Sequence, residues 1–311
     1  MTYPPNLKKN DKVIILAPAG KADKAAFENG VSTLKSWGLN PVIGKYAQGE
    51  HKFFYAFSGT DEERLSDFQT AIDDPEIRAI ICVRGGYGTN RIIDKIDFTP
   101  LITNPKWIVG FSDITVLHCH LNRLKIPSIH GITPSLFTLP TNQIAMKSLQ
   151  KALFGEQNSI EIASHPFNKE GKVNAEVLGG NIAILVSLIG TNSDFDTTDK
   201  ILFLEEVGET PYRLDRMLVQ LERAGKFEKL AGLIVGDLEG SQNEESEHPK
   251  NLLNTIILEK VKNKNYPICF DFPVGHQAAN FAMICGVKAE LSIQKERSQL
   301  IFPTQKTDII S

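Results

Sequence analysis

Through the first third of the chain, short apolar runs alternate with stretches in which apolar residues recur every three or four positions. The runs predict strands at 13–17, 40–43, 79–83 and 107–109, and the recurrences predict helices at 25–37 and 61–71 with a short one at 90–96. After Ser112, the spacing of Ile114, Leu117, Leu121 and Leu124 predicts one more helix. This alternation is the pattern of a parallel sheet covered by helices, in which sites collect at the carboxyl ends of the strands.

Between 144 and 173 the pattern loosens around Gly155, Asn158, Pro166 and Gly171. A linker is expected at 146–172, separating a domain at 1–145 from a second at 173–311. The second half opens on Val177-Leu178-Gly179-Gly180-Asn181 and an apolar helix to Ile189. It continues with a strand at 201–204 that ends at Glu205. Thr210-Pro211 is a helix start by cap and proline, followed by the stripe Leu214, Met217, Leu218 and Leu221. A strand at 230–235, an exposed acidic loop at 240–250 and a strand at 267–272 lead to Pro273-Val274-Gly275-His276.

A length of 311 residues suits two domains. The net charge of −3 leaves no basic footprint, so neither nucleic acid nor an anionic membrane is an expected partner. The longest apolar stretch, 182–189, is too short to span a bilayer. The polar N-terminus lacks the charged-then-apolar pattern of an export signal, so a cytoplasmic protein is expected. None of the four cysteines forms a Cys-x-x-Cys pair, and Cys82 and Cys269 lie in apolar runs as buried thiols do.

The chemistry concentrates at three turns. Ser112 follows the run Trp107-Ile108-Val109 and a glycine, and precedes a helix. A serine at such a turn exposes its hydroxyl while the first helical N–H groups face the same space. It is equally the place of an ordinary serine N-cap. Glu205 and His276 also follow predicted strands, and serine, carboxylate and histidine together make an activated nucleophile. Taken singly, Glu205 beside Glu206 and Glu209 reads as an acidic turn, and His276 as a loop histidine.

Gly86-Tyr87-Gly88 begins a dinucleotide fingerprint, but Arg91 stands where its third glycine belongs. A glycine turn that points an N–H at a reacting oxygen explains the segment as well. His118-Cys119-His120 invites a zinc reading. Residues two apart on a helix face apart, so no metal is expected there; with the glycine fingerprint only partial, no cofactor is expected either. His130 falls near these turns without an assigned role.

Several of these segments, in this order, resemble the LD-carboxypeptidases of peptidoglycan recycling. They are Ile14 with Leu16-Ala17-Pro18-Ala19-Gly20, Arg84-Gly85-Gly86-Tyr87-Gly88 and Gly110-Phe111-Ser112-Asp113. Two more follow: Leu204-Glu205-Glu206-Val207-Gly208-Glu209 with Pro211-Tyr212-Arg213, and Phe272-Pro273-Val274-Gly275-His276. The resemblance implies an N-terminal Rossmann-like α/β domain and a smaller β-rich C-terminal domain, with the site between them. It implies a serine carboxypeptidase with Ser112 as nucleophile, His276 as general base and acid, and Glu205 as the orienting carboxylate. The backbone N–H groups of Gly86 and Asp113 would form the oxyanion hole. It further implies a homodimer acting on murein tetrapeptides, from which the terminal D-alanine is removed at the L-centre of a diamino acid. On position alone, Arg84 and Arg213 are the candidates for binding the terminal carboxylate.

A neighbouring branch resembles the microcin C self-immunity hydrolases, which cleave peptidyl or aminoacyl adenylate analogues. The stretch Glu206-Val207-Gly208-Glu209 with the Pro-Tyr-Arg helix start favours the murein branch. A non-catalytic α/β small-molecule-binding protein is the reading from another class, and the complete Ser, Glu and His set argues against it.

Overall fold

The computed structural model describes residues 3–240 and 250–304. Five parallel strands build the first sheet: Lys12–Leu16, Asn40–Ile43, Ile77–Cys82, Trp107–Gly110 and Ser128–His130. Numbered in chain order these five lie 2-1-3-4-5 across the sheet, so the order reverses between the first and the third strand. Such a reversal opens a crevice at the carboxyl ends of the strands. The segments leaving those ends are Ala17 to Gly20, Val83 to Gly88, and Phe111 to Asp113.

A sixth strand, Met283–Cys285, pairs antiparallel with Ser128–His130. It returns to the first sheet from the far end of the chain, which the sequence pattern did not foretell. The second sheet has seven strands. Gly171–Asn181, Lys200–Glu209, Gly232–Gly240 and Ile268–Cys269 run parallel, and Lys288–Ile293, Arg297–Phe302 and Asn158–Ala163 extend it antiparallel.

The segment read as a linker at 146–172 is largely structured. Helix Gln143–Phe154 crosses its start, and Asn158–Ala163 is the edge strand of the second sheet. The acidic loop expected at 240–250 lies almost wholly outside the described residues. No helix among the described residues is long and apolar enough to cross a membrane.

The two sheets meet on helix Thr115–Arg123, buried along its length except for His120 and Arg123. A helix covered on all sides belongs between layers rather than on a surface. Each of Val116, Leu117 and Leu121 is fully buried there, contributing about 1.5–3 kcal/mol. Asn181, at the end of its strand in the second sheet, donates its N–H to Thr115 Oγ1 at 3.2 Å. A side chain on Gly180 would strike Thr115 at 2.3 Å, so the glycine lets this strand reach the turn that carries Ser112.

Candidate active site

Strand Trp107–Gly110 is buried throughout and delivers the chain to Ser112. There the backbone turns sharply, with Ser112 in the left-handed region at φ +62°. A non-glycine residue so placed costs about 1–3 kcal/mol and persists only where its surroundings hold it. Gly85 presses against the turn, where a Cβ would lie 2.9 Å from Ser112 Cβ and 3.2 Å from the Asp113 nitrogen. The residue that follows, Gly86, has φ +99°, and its N–H donates to no acceptor among the described residues. The N–H of Asp113 lies in the first helical turn, ahead of any intrahelical acceptor.

The glycine turn is pinned from three sides. Gly20 donates its N–H to the Gly85 carbonyl at 3.2 Å. The buried Arg64 donates to the carbonyls of Gly88, at 3.0 Å, and of Pro18. Thr89 donates its N–H to Asp113 Oδ2 at 2.8 Å. The Asp113 carboxyl is thus a strut between the serine turn and the glycine turn. Its burial raises its pKa, with the Thr89 and Gly88 hydrogen bonds and the Arg64 charge opposing.

Glu205 lies inside strand Lys200–Glu209, not at its end as the sequence suggested. It sits at a bulge, where Leu204 pairs with Val235 and Glu206 with Leu238. One residue therefore faces two, and the local bend opens room for another segment. The loop carrying His276 fills it: Asp237 donates its N–H to Val274 O at 2.8 Å, and Phe272 to Val235 O at 3.1 Å. Asn280 Oδ1 accepts the Gly275 N–H at 3.1 Å.

His276 Nδ1 lies 2.7 Å from Oε2 of the fully buried Glu205. In the tautomer that donates Nδ1–H to this carboxyl oxygen, Nε2 is left free to take a proton. The imidazole packs against Phe111 at 5.0 Å between ring centroids, beside the residue that precedes Ser112. The serine hydroxyl and the imidazole are not hydrogen-bonded to each other in this state. Burial disfavours the imidazolium, but the hydrogen bond and charge of Glu205, with Glu206 and Asp237, outweigh it and leave the pKa raised.

Glu206 faces away. Its carboxyl accepts from Asn181 Nδ2 at 2.9 Å, Ala183 N at 2.8 Å and Val207 N at 2.9 Å. It closes the amino end of helix Ile182–Leu188, where negative charge is favoured. Burial pushes its pKa up to about 7 against these hydrogen bonds.

The two candidate arginines lie apart. Arg84 is exposed at the glycine turn and donates to the Lys21 carbonyl at 2.9 Å. Arg213 is exposed on its helix, 3.9 Å from Glu209 and 3.2 Å from the Tyr212 hydroxyl. His118 bonds Ser128 at 2.8 Å and the Gly110 carbonyl at 2.9 Å, and burial pushes its pKa down to about 4. His120 turns instead to Ser193 at 3.0 Å and stacks on Phe98. The pair does not converge. His130 is fully buried 5.0 Å from the Phe203 ring, and burial, with His118 and His276 nearby, holds it well below the usual histidine range. Sequence reasoning missed Arg64, Asn280 and the bracing role of the Asp113 carboxyl. Their partners are distant in the chain, and no local pattern announces them.

Residues 13–131 match the model of the LD-carboxypeptidase N-terminal domain, and residues 174–291 that of the LD-carboxypeptidase C-terminal domain. The chain is 32% identical to the probable murein peptide carboxypeptidase of Bacillus subtilis, over 94% of this chain and 92% of that one. The muramoyltetrapeptide carboxypeptidase of Oxalobacter formigenes superposes with a TM-score of 0.84 at 26% identity, covering 95% of this chain and all of that one. The MccF-like protein of Bacillus anthracis superposes at 0.86 with 23% identity, covering 98% of this chain and all of that one, and so shares the fold. With both domain models matched in order along one chain, the protein belongs to the LD-carboxypeptidase family.

Proposed function

We propose that this carboxypeptidase-family hydrolase is a serine enzyme that removes the terminal D-alanine from murein tetrapeptides at an L-diamino acid–D-alanine bond. In this reading Ser112 Oγ attacks the peptide carbonyl carbon while His276 Nε2 takes the hydroxyl proton. Glu205 supports the imidazolium, and the N–H groups of Gly86 and Asp113 hold the oxyanion. His276 then gives its proton to the departing D-alanine nitrogen as the C–N bond breaks. A water, deprotonated by the same imidazole, hydrolyses the acyl-enzyme and restores Ser112.

The observation that carries the reading is the 2.7 Å contact between His276 and a fully buried Glu205, beside a serine held at φ +62°. A surface acidic turn and a loop histidine would have no reason to be desolvated together. A serine serving merely as a helix cap would have no need of left-handed backbone. The murein substrate is carried over from the names of the relatives. The proposal includes the division into a domain at 1–145 bearing Ser112 and one at 173–311 bearing Glu205 and His276, a homodimer, and action in the cytoplasm.

Parallel assays with an L,D-tetrapeptide, a D-Ala–D-Ala pentapeptide and an aminoacyl-sulfamoyl adenylate test the substrate. Release of D-alanine from the tetrapeptide, without turnover of the other two, is expected. Inverting the residue on the acyl side drives its side chain into the wall of a site whose nucleophile is fixed. Preferential cleavage of the adenylate analogue would move the chain to the self-immunity branch. No turnover of any of the three would leave a binding protein.

A further inference from the structure

The triad leaves Tyr55 without a role. Tyr55 lies at the turn of a small hairpin, His51–Lys52 paired with Ala56–Phe57. A Cβ on Gly86 would come within 2.4 Å of the Tyr55 hydroxyl, and one on Gly20 within 3.0 Å. The phenol oxygen therefore rests on Gly86, whose N–H belongs to the proposed oxyanion hole, and on Gly20, which bonds the neighbouring Gly85 carbonyl. Its ring is clasped by Tyr87 at 5.9 Å and by the buried Phe57 at 5.3 Å, and Phe57 lies beneath the Arg64 guanidinium at 5.1 Å. The hydroxyl makes no hydrogen bond among the described residues. A phenol fixed by its ring, with an uncommitted O–H at the edge of a reaction site, is a donor set up for a ligand acceptor.

Arg84 reaches the same corner. Its Nη1 donates to the carbonyl of Lys21, the residue after Gly20. Lys21 in turn donates its N–H to the carbonyl of Ala56, the residue after Tyr55, at 2.9 Å. The other N–H donors of the Arg84 guanidinium are uncommitted among the described residues. A phenol O–H and a guanidinium, tied to one corner through Lys21 and Ala56, match a carboxylate, with two oxygens and one negative charge. Nothing in the triad distinguishes a terminal residue from an internal peptide bond, and a carboxypeptidase has to make that distinction.

We infer that Tyr55 and Arg84 form the subsite that binds the α-carboxylate of the substrate's terminal residue. The inference rests on the carboxypeptidase reading above and adds to it a residue, Tyr55, that no motif marks.

Calorimetry in a Ser112→Ala background tests it, with an L,D-tetrapeptide and the same peptide ending in D-alaninamide as the two ligands. The acid binds at least about tenfold more tightly than the amide. Adding Tyr55→Phe, which keeps the ring packing, weakens the acid by about tenfold and the amide by less than about twofold. Arg84→Gln, which removes the charge, acts in the same direction. Equal weakening of acid and amide, no weakening of either, or no measurable binding of the acid overturns the subsite. D-Alanine release by the Ser112-intact protein tests the parent reading separately. A chain that released no D-alanine yet showed acid-selective, Tyr55-dependent binding would lose the reaction and keep the subsite.

Discussion

Glu205 and Glu206 are neighbours on one strand and face opposite ways: Glu205 holds His276, and Glu206 closes a helix. Successive side chains of a strand alternate between its faces, so the two roles cannot be exchanged without shifting the register. Glu205→Gln is expected to lower kcat by about a hundredfold to ten-thousandfold with folding intact, because the amide no longer supports the imidazolium. Glu206→Gln is expected to keep most of kcat and to lose about 1–2 kcal/mol of stability. Kinetics and chemical denaturation of both variants check this, and a reversed pattern would exchange the assignments.

The raised pKa of His276 sets a pH dependence. In the proposed mechanism His276 is the base and must be neutral, so kcat/KM is expected to fall as pH drops through that pKa and to rise above it. The acidic limb is expected above the ordinary histidine value of about 6.5. In Glu205→Gln it moves to lower pH, since the partner that raised it is gone. Glu206, near 7, titrates in the same region, so the limb should persist in Glu206→Gln. A limb that vanished there would belong to Glu206.

Asp113 joins the two halves of the proposed oxyanion hole, giving its own N–H to one side while its carboxyl holds the Thr89 N–H of the glycine turn. Asp113→Asn keeps an acceptor for Thr89 and is expected to retain much of kcat. Asp113→Ala frees the turn and should lower kcat by about ten- to a hundredfold with a smaller change in KM. Equal kinetics for the two variants would show that the strut does not matter.

The alternation of runs and helical recurrences made four of the five parallel strands of the first sheet legible, with helix Thr115–Arg123, because each of these elements states its own period, whereas the three-residue strand Ser128–His130 was too short to state one. The turns bearing Ser112 and His276 were legible because glycine and serine mark them. What escaped depends on distant partners. Met283–Cys285 is a three-residue strand whose place is set by His130 and Ser128, more than a hundred positions earlier. The bulge at Glu205 exists because the loop from Phe272 to Gly275 packs into it, so the strand looked as if it stopped there. Gly155 suggested a linker, whereas at φ +73° it caps helix Gln143–Phe154. Tyr55 carries no motif, and its meaning lies wholly in its contact with Gly86.

The left-handed backbone at Ser112 costs stability, which the proposed nucleophilic role of its hydroxyl accounts for. Ser112→Gly is therefore expected to be more stable than Ser112→Ala by about 1 kcal/mol, since glycine adopts this conformation without strain. Urea denaturation of the two variants measures the difference, and equal midpoints would show that Ser112 carries no backbone strain.

The most direct measurement is D-alanine release from an L,D-tetrapeptide by the wild-type chain and by Ser112→Ala under the same conditions. The account predicts steady release by the wild type and a loss of at least about a thousandfold in a folded Ser112→Ala protein, with the residue due to binding and the oxyanion hole. Release by a folded Ser112→Ala protein at close to the wild-type rate would contradict it.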